Sequence, residues 1–200
     1  MMYTLSRKRI KNSKMKYTIE TIKNQYRIQK ELLKYVFFWG HTPSKNGDTT
    51  KSCFSQWWEL DFEVNGITYR TAEHWMMAGK ARLFNDTVIL EKIINASHPN
   101  QAKKLGRKVS NFDADIWDAH KYEIVKEGNY HKFSQHSNLK EFLINTANRI
   151  LVEASPFDPI WGIGLAQSKP NIEDPNTWKG ENLLGFALME VRDELVSENG

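Results

Sequence analysis

The sequence predicts a mainly α protein, one compact helical domain with a small β-hairpin. Three observations predict it. Apolar residues recur at helical spacing through most of the chain. The one strong hairpin signal is Asn65-Gly66, flanked by alternating apolar residues. Pro and Gly signals at His98-Pro99, Ser155-Pro156 and Lys169-Pro170 punctuate the helical segments, with no internal repeat. At 200 residues, 40% apolar and 12% aromatic, the chain can enclose a core.

In chain order, residues 1–16 are polar and cationic, with too little apolar content to fold alone. Ile19, Ile22, Tyr26 and Leu33 then mark an amphipathic helix, so residues 1–34 read as a basic extension and 35–197 as the domain. An aromatic stretch, Tyr35 to Trp39, ends at Gly40 and a loop of turn formers. The hairpin is expected from Trp57 to Val64 and back from Ile67. Thr71 is placed to cap a helix to about Phe84. Further helices are expected over 86–96, 99–105, 113–130, 137–153 and 182–197.

The net charge of +4 is unevenly distributed. Residues 1–33 hold nine Lys or Arg and two Glu, a net +7; the remaining 19 basic and 22 acidic residues leave the body at −3. No apolar run approaches the roughly 20 residues of a membrane span, and no apolar segment follows the basic start as in a signal peptide. The single cysteine, Cys53, fits a reducing compartment and reads as a buried thiol. Together these lead us to expect a cytoplasmic protein with no membrane association.

Chemistry is concentrated in a few segments. In Thr71-Ala-Glu-His-Trp-Met-Met-Ala-Gly-Lys80, Glu73 and Lys80 share a helix face two turns apart. A Glu in a first turn ordinarily just complements the helix dipole, but Trp75, Met76 and Met77 make this helix too apolar for a solvated face. In Glu153-Ala-Ser-Pro-Phe-Asp-Pro-Ile-Trp-Gly-Ile-Gly164, Asp158 stands beside Trp161 and Gly162, where backbone can approach a ligand and an aromatic can stack on a base. A turn over a buried tryptophan accounts for that pattern equally well. Asn182-Leu-Leu-Gly185 leads to Arg192, which is suited to a phosphate or to an internal acid. The six histidines show no zinc spacing, and the chain has neither a full dinucleotide fingerprint nor a nucleophile elbow, so no metal and no cofactor are expected.

Taken in order, Phe38-Trp-Gly40, the Thr71–Lys80 segment, Lys104-Leu-Gly-Arg107, Lys132-Phe133, Glu153-Ala-Ser-Pro156, Asp158, Trp161-Gly-Ile-Gly164, Asn182-Leu-Leu-Gly185 and Val191-Arg192 resemble the NADAR (YbiA-like) family. The resemblance spans about residues 35–196. It implies a compact, mainly helical fold and cleavage of an N-glycosidic bond. The substrate would be a phosphoribosylated pyrimidine of early riboflavin synthesis or, in another branch, ADP-ribosylated guanine in nucleic acid. It also implies that Glu73 and Asp158 are the catalytic carboxylates and that Trp117 is a base contact. Lys80, Trp161, Gly162, Asn182 and Arg192 are added as substrate-binding candidates. One carboxylate would stabilise an oxocarbenium-like centre while the other serves as acid or base; residue types alone leave that allocation open. A module that binds ADP-ribose without turnover is the competing class, and the basic tail offers a route to nucleic acid.

Overall fold

The computed structural model describes residues 15–198, so the first 14 residues of the basic tail lie outside the described residues. Among the described residues, seven α-helices and two small two-stranded sheets follow the chain. They are α1 (Ile19–Gln29), β1 (Tyr35–Phe38), β2 (Phe62–Val64), β3 (Ile67–Tyr69), α2 (Ala72–Leu83), α3 (Thr87–Ile94), α4 (Pro99–Gly106), α5 (Ala114–Ser134), α6 (Ser137–Ile144), β4 (Ile150–Glu153) and α7 (Leu183–Ser197). No helix among them is long and apolar enough to cross a membrane.

The mainly helical class is confirmed, with two corrections. The segment expected as one helix over 137–153 stops at Ile144. After a turn with Ala147 at positive φ, Ile150–Glu153 forms a strand. That strand pairs in parallel with β1, from Tyr35↔Ile150 to Phe38↔Glu153, and buries Ile150, Leu151 and Val152. A run buried on both faces loses the alternation that would mark it as a strand. The hairpin is also shorter than expected, because only Phe62–Val64 and Ile67–Tyr69 pair across the Asn65-Gly66 turn.

Thr71 caps α2 by accepting from the His74 N–H, and Asp113 caps α5 in the same way. α2 is central, packing on α3, α4 and α5, while α7 packs on α5 and β4. Gly106 lies under Met77 and Gly128 under Trp75, where a side chain would push these neighbours aside. α1 joins the same body. Ile22 is fully buried, and the Lys16 ammonium and Tyr17 hydroxyl both reach Asp193 on α7. Cys53 is buried and its thiol is pushed up to about 11 by burial, as expected of an inert core cysteine.

Candidate active site

The parallel pairing of β1 and β4 brings Phe38 level with Glu153, so the residues that follow both strands emerge at one end of the sheet. Trp39 follows β1; Phe157 and Asp158 follow β4. The Trp39 and Phe157 rings lie 6.3 Å apart and are both exposed. The N-terminus of α2 points to the same place, because Glu73 and Glu153 each interact electrostatically with Asp158 and with Lys103 of α4. Three carboxyls thus gather around one ammonium.

Glu73 is only 5% exposed. Its N–H donates to the Gln56 carbonyl at 2.9 Å, which ties the helix start to the 51–57 loop. Burial, reinforced by the Asp158 charge, pushes its carboxyl up to about 7, although Lys103, a hydrogen bond from the Trp57 side chain and Arg107 all favour the charged form. Glu153 is pushed up to about 8, first by burial and then by the charges of Asp158 and Glu73, against Lys103. Asp158 is held differently. Its Oδ1 accepts from the Ile160 and Trp161 N–H groups at 2.9 and 2.8 Å, which locks the loop around it.

The loop carrying Trp57 is anchored from below. Lys132 is fully buried on α5 and donates to the Cys53 and Ser55 carbonyls at 2.6 and 2.9 Å; burial lowers its pKa to about 8. Trp57 itself lies half-buried among His41, His98 and the Lys103 ammonium, with centroid distances of 5.5, 6.2 and 5.8 Å. Next to it the Gln56 amide is buried, and neither Nε2 nor Oε1 has a hydrogen-bond partner among the described residues. The group is a half-exposed aromatic, cations and buried carboxyls of raised pKa, which suits acid–base chemistry on a planar, polar substrate.

The sequence-derived candidates divide in this frame. Glu73 and Asp158 belong to the cluster. Asn182 lies beneath it: its Oδ1 accepts from the Glu153 N–H at 3.0 Å and its Nδ2 donates to the Leu151 carbonyl at 2.9 Å. Gly162 packs where a Cβ would meet the Glu153 carbonyl at 2.8 Å, and Trp161 closes the Asp158 turn through its backbone. Lys80 and Trp117 lie apart, at the other end of α2. There the Lys80 ammonium sits 3.9 Å from the Phe112 centroid and 5.6 Å from that of Trp117, and burial lowers its pKa. Arg192 is buried and donates through Nη1 to the Thr146 hydroxyl and the Arg149 carbonyl, which ties it to the α6–β4 turn. None of these three enters the contacts that define the Glu73 cluster. Sequence reasoning missed Glu153, Trp57, Gln56, Lys103 and Lys132. Glu153 and Lys132 stood inside motifs of the resemblance without a role, and only its position at a strand end brings Glu153 to Glu73. Among the described residues no group of three or more His, Cys, Asp or Glu side chains is arranged to hold a metal ion.

The raised carboxyl of Glu73 makes folding stability pH-dependent. A carboxyl with a higher pKa folded than unfolded contributes stability that is complete below about 4.5 and lost as pH rises through about 7. Glu73→Gln removes that loss. In chemical denaturation across pH, the variant is expected to match wild type near pH 4 and to exceed it by roughly 3 kcal/mol above pH 7. A stability difference that does not change with pH would contradict the buried, protonated state.

A mainly helical domain with carboxyls of raised pKa gathered at a strand end defines an acid–base site of the kind hydrolases use. The chain belongs to the NADAR family: the NADAR domain matches residues 37–196. It is 48% identical over 167 residues to N-glycosidase R617 of Acanthamoeba polyphaga mimivirus, a match covering 80% of this chain and 96% of that protein. It is 31% identical over 172 residues to N-glycosidase YbiA of Escherichia coli K12, covering 86% and 96%. The NMR structure of the E. coli protein YbiA superposes with a TM-score of 0.66 at 30% identity, covering 83% of this chain and 87% of that one.

Proposed function

We propose that this chain is an N-glycosidase that hydrolyses the ribose–nitrogen bond of a phosphoribosylated pyrimidine, or of a closely related nucleotide, with Glu73 and Asp158 as working carboxylates. The enzyme class rests on the family and on relatives that are named N-glycosidases. The observation that carries the mechanism is the joining of Glu73, Asp158 and Lys103 at one strand end. Breaking the bond places positive charge on the sugar. A carboxylate fixed beside C1′ in a dry site stabilises that charge far more than water does. Glu73, held by its backbone bond to Gln56 and by Trp57, takes this role when ionised. Asp158 receives the proton of the attacking water; its Oδ1 is anchored, which leaves Oδ2 outside the backbone bonds of the turn. Trp57 offers a face for the base, and Lys103 and Arg107 supply positive charge for phosphate.

Base release followed by chromatography and mass spectrometry tests the reading. The two substrates would be a ribosylaminopyrimidine phosphate and an oligonucleotide carrying ADP-ribosylated guanine. Turnover of the small nucleotide is expected. Turnover of the oligonucleotide alone would move the substrate to nucleic acid, and binding of ADP-ribose with no turnover of either would overturn the enzymatic reading.

A further inference from the structure

We propose that Glu153 is a further catalytic residue, the proton donor to the departing nitrogen, working beside Glu73 and Asp158. The proposal rests on the N-glycosidase reading above. Its first support is an unused group: Glu153 Oε2 is closed off from solvent and has no hydrogen-bond partner among the described residues. A buried carboxyl oxygen left without a partner is costly unless the carboxyl is neutral or a ligand completes it. Its second support is construction. The Glu153 backbone is clamped from both sides, with its N–H on Asn182 Oδ1 and its carbonyl accepting from the Ile163 N–H at 2.9 Å; Gly162 packs closely against that carbonyl. A backbone held this firmly at a strand end fixes where the side chain starts, and with two other carboxyls beside it the acid is placed to act on a substrate rather than to fill space.

The surrounding charges favour the protonated acid. Asp158, from the loop after β4, and Glu73, from the start of α2, both oppose ionisation of Glu153; among the described residues Lys103 of α4 is the cation that acts against them. Burial adds to the same side, and the carboxyl is pushed up to about 8. An ionised Glu73 therefore helps keep Glu153 neutral, which separates a carboxylate from a carboxylic acid within one cluster. The step balances. As the C1′–N bond breaks, its electron pair leaves with the nitrogen, which takes the proton from Glu153. Water adds to C1′ and gives its proton to Asp158, and exchange with solvent resets both carboxyls. The products are the free base and the ribose phosphate.

Leaving-group dependence tests this role. A nitrophenyl ribosyl phosphate departs as a stable phenolate without help from an acid, whereas an aminopyrimidine does not. Glu153→Gln is expected to lower turnover of the N-riboside by roughly 10²-fold or more, yet to cleave the nitrophenyl substrate within about threefold of wild type. Glu73→Gln should lose both reactions. For wild type, kcat/KM should rise as pH passes about 7 and fall as it passes about 8; Glu153→Gln should abolish the falling limb. Glu153→Asp, which keeps the acid but shortens its reach, should show the same selective loss if the Gln variant folds poorly. Equal impairment on both substrates, or a falling limb that persists in Glu153→Gln, overturns the proposal while leaving the N-glycosidase reading intact. Wild type that cleaves no N-riboside overturns that reading itself, and the donor role with it. Difference infrared spectroscopy gives a readout that needs no turnover: of two protonated-carboxyl bands, the one lost as pH passes about 8 should vanish in Glu153→Gln while the Glu73 band, lost near 7, remains; persistence of the higher-pH band would overturn the assignment.

Discussion

Glu73→Gln is expected to reduce base release by roughly 10³-fold while the fold is kept. Glutamine has nearly the same shape, and the bond between the Glu73 N–H and the Gln56 carbonyl belongs to the backbone, so the start of α2 should not move. What disappears is the negative charge. A neutral amide in the same place offers a dipole to the cationic sugar and no compensating anion. The loss should fall on kcat rather than KM, because the sugar carries its positive charge only in the transition state. Single-turnover base release alongside thermal denaturation separates the two effects. Turnover within a few-fold of wild type would remove Glu73 from the mechanism. A variant that is both inactive and less stable above pH 7 would point to a structural role, since removing a strained buried charge should raise stability there.

Gly185→Ala should be the most damaging of the small substitutions near the site. A Cβ at this position would run into the Leu151 carbonyl and lie 2.6 and 2.7 Å from the Asn182 amide atoms. The obstacle is backbone of β4 and a fully buried side chain, so neither can rotate out of the way. Overpacking of this kind costs roughly 1–3 kcal/mol or more, a drop of about 2–4 °C in Tm per kcal/mol for a chain of this size. The effect should extend to catalysis. Asn182 is the residue that links β4 to the start of α7 through Leu151 and Glu153, and it sits at a φ of 56°, a left-handed conformation that Asn tolerates better than most residues. Displacing it shifts Glu153. Thermal unfolding and base release measured together should both fall; a variant with wild-type Tm would show that the α7–β4 contact is looser than its geometry indicates.

Much of the fold was legible because helix patterning is local. The Thr71 cap, the Asn65-Gly66 turn and the apolar stripe of α7 each depend on residues within a few positions of one another. The strand β4 was not legible, since its Ile150-Leu-Val run is buried on both faces and its partner lies more than 100 positions away at Tyr35. That one misreading hid Glu153. Counted as the last residue of a helix, it drew no role; as the last residue of a strand paired with Phe38, it interacts with Glu73 and Asp158.

The sequence by itself determined the helical class and the family, and it offered Glu73 and Asp158 as candidates, because ordered motifs and periodicity survive without knowledge of contacts. Tertiary structure alone decided which charged residues meet. Lys80, two turns along the same helix face as Glu73, lies against Phe112 and Trp117. Arg192 is consumed by Thr146 and Arg149, and Lys103 from α4 supplies a cation that no spacing foretold. The raised pKa values of Glu73 and Glu153 are likewise products of the fold, since desolvation and the charge of a distant carboxylate exist only once the chain has closed around them.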